Sequence, residues 1–279
     1  MLAVASAAFA AVLWGSGDFV AGTLGKRIPI LVISLVAWTT GLLITLTLVL
    51  AIDPTVPSTR TIAAGLLGGV FGAIGLGSLY RGLAIGRMGI VAPIAALSSL
   101  VPVAVGFLQG DRPSGVQLAG MAAALGGAAL AATAPDHDGV RRLNAGLVPA
   151  VIAALGIGIS ITLVDVAAEE SAVWTPLLLR ASSVPLVAIA ALVVQPSFAA
   201  VRRRDVGAMM GVGAADNLGN IAFAFSTTRG LLALVSVVAA LVPVVTVVLA
   251  RFVLHEHLTR HQLVGVAFAI AGVVAIAAG

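Results

Sequence analysis

Four charged side chains lie inside long apolar runs, where a charge needs a partner or a purpose: Asp18, Asp165, Arg180 and Asp216. On insertion scales an ionised group at the centre of a membrane helix costs about 2.5–3.5 kcal/mol, so each is a candidate functional residue. Asp216 is the strongest, because Asn217 follows it and Asn220 lies one turn on, making a polar patch. Such a patch could hold a cationic group or carry an exchangeable proton. Asp18 follows Trp14 by four residues, which puts both on one helical face. Trp14 and Tyr80 could stack on a solute, and Ser98 and Ser99 could offer hydroxyls to it. Each feature also has a structural reading. Arg180 could neutralise one of the aspartates, the rings could be core or interfacial-belt residues, and the serines could bond back to their own helix.

Pro93, Pro102 and Pro243 each remove a helix hydrogen bond, which suits kinked, gating helices. Gly65/Gly69, Gly68/Gly72 and Gly207/Gly211 have the spacing that lets helices approach closely. His255, Glu256, His257 and His261 form the one metal-like cluster, but they fall between two apolar runs and no metal is expected there. The chain has no phosphate-binding glycine loop with a lysine, no HExxH and no nucleophile elbow. The sequence therefore reads as neither an enzyme nor an ATP-driven pump, and implies no cofactor.

The elements that hold these residues follow from composition. The chain is 60% hydrophobic and 9% charged, with no cysteine. Soluble domains carry about 25% charged residues, so the bilayer must be the solvent for most of this surface. The net charge of +4 is carried by residues between apolar runs, which argues against nucleic-acid binding. Ten stretches reach the roughly 20 residues a spanning helix needs. They cover 2–24, 28–52, 61–82, 88–108, 113–134, 145–168, 172–195, 206–228, 230–254 and 262–279. None alternates as barrel strands do, and lipid demands that each backbone pair within itself.

The two halves repeat. Gly72-Ala73 recurs as Gly213-Ala214, Gly89 as Gly230, and Leu100-Val101-Pro102-Val103 as Leu241-Val242-Pro243-Val244, all at an offset of 141. A four-residue insertion follows, which should lengthen the ninth helix by a turn. Beyond it Asp111 matches Glu256, Gln117-Leu118 matches Gln262-Leu263, Gly120 matches Gly265 and Gly127 matches Gly272. The expected organisation is a first repeat over 1–134, a linker over 135–144 and a second repeat over 145–279. Five helices per half is an odd number, so the second half enters the membrane from the opposite side. The fold class is an all-α polytopic membrane protein: ten transmembrane helices in two inverted five-helix repeats, an architecture of secondary transporters.

Trp14-Gly15-Ser16, together with the repeated endings from Pro102 through Asp111-Arg112 to Gln117-Leu118-Ala119-Gly120 and from Pro243 through Glu256-His257 to Gln262-Leu263-Val264-Gly265, resembles the EamA-type transporters of the drug/metabolite transporter superfamily. The resemblance covers nearly the whole chain, with Asp111 in place of the more usual glutamate. It implies a central cavity lined by helices 1, 3, 4, 6, 8 and 9, and a small-molecule substrate. The expectation is a secondary transporter in a bacterial inner membrane, exporting an amino acid-like, amphipathic or cationic metabolite by alternating access, with proton coupling as an option and a monomer or homodimer as the assembly. A lipid or lipid-linked-sugar flippase and a non-transporting scaffold are the alternatives. Of 15 Lys and Arg, eleven fall at odd-numbered connections and three at even-numbered ones. That bias places the termini outside the cytoplasm, whereas the resemblance implies termini inside.

Overall fold

The structure is a computed structural model, and it describes residues 1–86, 88–133, 146–255 and 258–279. The expected linker over 135–144, together with Glu256 and His257, lies outside the described residues. In chain order the helices are α1 (Leu2–Gly25), α2 (Ile30–Ile52), α3 (Thr59–Ile85), α4 (Met88–Ala96), a 3-10 turn (Leu97–Ser99), α5 (Leu100–Gln109), α6 (Gly115–Ala131), α7 (Leu147–Ala168), α8 (Trp174–Val194), α9 (Arg203–Thr227), α10 (Leu232–Ala239), α11 (Val242–Val253) and α12 (Arg260–Ala278). Taking α4–α5 and α10–α11 as one crossing each gives the ten expected spans. Among the described residues eight crossings are long and apolar enough to traverse a bilayer alone, and α6 is a shorter apolar helix. The remaining crossing, α9, carries Arg203, Arg204, Asp205 and Asp216.

Helix pairing displays the duplication. α3 packs along α7 as α1 packs along α9; α3 on α8 mirrors α2 on α9; α2 pairs with α8, and α6 with α12. Exchanging the halves leaves this set of pairs unchanged. Connections also sort by parity. The α1–α2 connection meets the α8–α9 connection through Arg27 and Ala200. The α2–α3 connection meets α7–α8 through Ser58 and Glu170. The two faces so defined are called the basic face and the terminal face, after the arginines of the first and the chain ends of the second.

The repeated motifs have local causes. Ser114 and Gln117 form a capping box at the start of α6, and Thr259 and Gln262 form its counterpart on α12. Each satisfies two backbone N–H groups at a helix start that has no earlier turn. Gly120 and Gly127 on α6 abut Gly272 and Gly265 on α12. A Cβ on Gly127 would sit 2.4 Å from the Ala269 nitrogen, so the antiparallel contact requires glycine. Pro102 lies in the first turn of α5, and Pro243 at the first turn of α11. Neither kinks a continuous helix as the sequence suggested. Each opens a new one after a break, where its missing N–H costs little. At the repeat offset the break at Leu97–Ser99 maps onto 238–240 and so meets the break at Ala240–Leu241 to within about a residue. Pro93 lies within the short α4. The ninth helix is not a turn longer, as the insertion suggested: α11 has 12 residues against 10 in α5, but the crossings Met88–Gln109 and Leu232–Val253 each span 22 residues.

The small-residue pairs divide. Gly65 and Gly69 pack on α8, and Gly68 and Gly72 approach Leu179 and Ser160, as the spacing suggested. Gly207 and Gly211 do not: among the described residues no neighbouring helix has an atom within 4 Å of a Cβ built on either, so they mediate no packing there.

On the two faces, polar clamps tie the halves together. On the basic face Arg27 grips the Asp205 carboxylate with both terminal nitrogens, one at 2.7 Å, and donates to the Ala200 carbonyl. The Arg27 bonds hold the Asp205 carboxyl down to about 2. On the terminal face Glu170 accepts from the Ser58 amide, the Ser58 hydroxyl and the Thr61 hydroxyl, which hold its carboxyl below the usual range. Beside it the Trp174 indole N–H donates to the Asp53 carbonyl at 2.9 Å.

Candidate substrate site

The site is assembled around the middle of α9. Leu218 is exposed on the lipid side of that helix. Asp216, two residues earlier, is turned about 200° from it and faces the interior. Arg180, on α8, reaches across and forms an ion pair with Asp216. The Arg180 guanidinium lies over the Trp38 ring, 5.1 Å from its centroid, where the ring quadrupole favours a cation. Asn220 donates to the Asp216 carbonyl at 2.9 Å and approaches the carboxylate at 3.4 Å. The Trp14 indole donates to the same carbonyl at 3.2 Å, and its ring packs 5.7 Å from Phe223. A Cβ at Gly219 would overlap the Trp14 ring, so glycine there lets the indole lie flat on α9.

Asp18 and Tyr80 lie on α1 and α3. Asp18 is exposed, yet it lies half a turn round α1 from the outward-facing Phe9. It therefore meets solvent on the inner side of the bundle. The neighbouring Gly17 touches Val212 and Ala215 while Trp14 touches Gly219, so Asp18 lies about one helical turn nearer the basic face than Asp216. Tyr80, half-buried on α3, lies within electrostatic reach of Asp18. Trp14, Asp18, Tyr80 and Asp216, each at least partly accessible, thus gather on the inner side of the bundle. The Asp216 side chain is 27% exposed, whereas Arg180 behind it is 8% exposed.

The remaining candidates separate from this group. Asn217 is fully buried, bonds to the Gly213 carbonyl and points at Gly41 of α2. It is a packing residue rather than a cavity residue. Ser98 and Ser99 are buried at the α4–α5 break, and the Ser99 hydroxyl has no hydrogen-bond partner. It neither lines an open space nor bonds back to its helix.

Asp165 goes elsewhere again. With Asp111, Glu169, Gln109 and Thr227 it lines a cavity of about 390 Å³ on the terminal face. Asp111 also accepts from the Ala233 amide at 2.9 Å, capping α10, which accounts for an acidic residue at that repeat position. Two members of the central site were missed in the sequence. Trp38 and Ser183 read as ordinary members of apolar runs, and only the placement of Arg180 marks them.

The sequence profile of the EamA-like transporter family matches residues 1–133 and again residues 144–278. No curated protein matches the chain. A solved crystal structure aligns with a TM-score of 0.80, covering 98% of this chain and 96% of its own, at 18% identity, a likeness of fold. The double match, the paired helices and the inner polar site agree: this chain is a multi-pass membrane transporter, not an enzyme, and it belongs to the EamA-like transporter family.

Proposed function

We propose that this protein is a secondary exporter of a small amino acid-like, amphipathic or cationic metabolite, working by alternating access in a bacterial inner membrane. The moving bodies are the repeats over 1–134 and 145–279. The observation that carries the reading is a solvent-reached carboxylate at mid-helix, Asp216, surrounded by Trp14, Asn220 and Arg180. Asp18 and Tyr80 complete the site, and proton exchange at Asp216 is the proposed coupling step. A scaffold needs no such accessible carboxylate, and would pair Asp18, Asp165 and Asp216 each with arginine. Of these three, among the described residues, only Asp216 has such a partner. A flippase would need a polar groove open to lipid, whereas the groups named here face inward.

The test is a thermal-shift screen of the purified protein with amino acids, polyamines, nucleosides and cationic dyes, followed by flux in liposomes. Stabilisation and flux by one class are expected, and both should fall for that class in Asp216→Asn at normal expression. A protein that binds and moves none of them refutes the reading.

A further inference from the structure

We infer that Arg180 is the receptor for an anionic group of the transported solute, and that Asp216 is the counterion that holds Arg180 when the site is empty. The inference rests on the central site being the transport site.

The first support is the incompleteness of Arg180. A guanidinium offers five N–H donors. Here one terminal nitrogen meets Asp216, the other makes a 3.5 Å contact with Ser183, and the buried Nε has no partner. The carboxylate is thus held from one end of the guanidinium and not by the bidentate fork that arginine makes with a well-seated carboxylate. By contrast, Arg27 engages both oxygens of Asp205. The protein builds the complete pair where it clamps two connections together, and the incomplete one at its centre.

The second support is access. Asp216 uses one oxygen, Oδ2, for both Arg180 and Asn220. Its side chain is the partly exposed member of the pair. An incoming group therefore meets the carboxylate first, with the arginine behind it.

The third is asymmetry. At the repeat offset Asp216 corresponds to Gly75, which sits against Gly156 and Ile157 with no room for a side chain. The inverted architecture packs without charge at that place, so the second repeat's ion pair is not demanded by the fold.

A charge-balance rule follows. Removing one partner of a buried pair strands the other, which is strongly unfavourable. A solute that brings only a cation would take Asp216 and strand Arg180. One that brings only an anion would take Arg180 and strand Asp216. A solute with a carboxylate and an ammonium satisfies both residues, and the pair exchanges partners without a net change of buried charge. The pair thus selects on the charges within the solute, and side-chain size is left to the surrounding walls.

The experiment uses the full-length protein in liposomes. The solutes are alanine, leucine and phenylalanine, each as the free amino acid, the amide (cation) and the N-acetyl acid (anion). The expected result is flux of at least one free amino acid at ten times or more the rate of its amide and N-acetyl forms. Arg180→Gln should shift preference toward the amide, and Asp216→Asn toward the N-acetyl acid. The double variant Arg180→Gln/Asp216→Asn removes both charges, is expected to fold, and should lose discrimination between the three forms. Amides or polyamines carried in preference to free amino acids would overturn the inference and leave the transporter reading intact. So would a double variant that keeps the wild-type preference. Absence of flux for every solute, polyamines, nucleosides and dyes included, would instead overturn the transporter reading.

Discussion

Replacing Gly213 by alanine should push α9 away from α2 and lower stability, whereas the same change at Gly211 should not. A Cβ on Gly213 would lie 2.1 Å from the Ala37 carbonyl oxygen, 2.8 Å from its carbon and 2.9 Å from its Cα. All three are backbone atoms of α2, so no side-chain rotation relieves the overlap. Relief requires the helices to separate by about 1 Å or more, and overpacking of this kind costs about 1–3 kcal/mol. For a chain of this size each kcal/mol shifts the melting temperature by roughly 2–4 °C. Gly213→Ala should therefore melt roughly 2–12 °C below wild type, read by tryptophan fluorescence in detergent. Among the described residues Gly211 meets no neighbour within 4 Å, and alanine is the better helix former by about 1 kcal/mol, so Gly211→Ala should melt at or slightly above wild type. Equal losses in the two variants, or a Gly213→Ala protein that melts with wild type, would refute the described packing of α9 on α2.

Other outcomes follow from particular contacts. Arg27 depresses the Asp205 carboxyl from 3.8 to about 2, and a depressed carboxyl stabilises the fold above its unfolded value and loses that effect as pH falls through the folded one. The melting difference between wild type and Asp205→Asn should thus be full above about pH 4 and shrink toward pH 2; a constant difference would contradict the clamp. Gly41→Ala places a Cβ 1.6 Å from the Asn217 amide nitrogen, so it should be destabilising alone and largely rescued by Asn217→Ala in the same chain. Additive losses in that cycle would show that the two residues do not meet. Ser99 and Ser236 have buried hydroxyls without partners, a desolvation penalty of about 1–3 kcal/mol each. Ser99→Ala and Ser236→Ala should therefore raise the melting temperature, and a loss in either would show a hidden bond.

The periodic part of this architecture was legible in the sequence and the directional part was not. Long apolar runs announced the crossings, and the repeated Gln and Gly positions announced the duplication. Their causes, capping boxes and glycine-to-glycine helix contacts, involve partners that sequence spacing does not name. At the site, Asp216, Asn220 and Trp14 were found because intramembrane polar groups are few. Asn217 was misplaced because adjacent helical residues point about 100° apart, and its direction is toward α2. Gly207 and Gly211 have the same spacing as Gly65 and Gly69, but the face they occupy is outward. Arg180 was legible as a charge, while its pairing with Asp216 across 36 residues depended on how α8 and α9 lie together.

The low apolarity of α9 bears on how the protein is made. Alone, a helix of such composition carrying a central aspartate would be poorly retained by lipid, and α8, though apolar enough to cross, bears its arginine at a cost of about 2.5–3.5 kcal/mol. α8 emerges from the ribosome first, and only the short stretch between Val194 and Arg203 separates it from α9. Arg180 is therefore waiting when Asp216 arrives, and the two helices can enter the bilayer as a hairpin whose charges cancel. The order of synthesis lets the ion pair serve as an assembly aid.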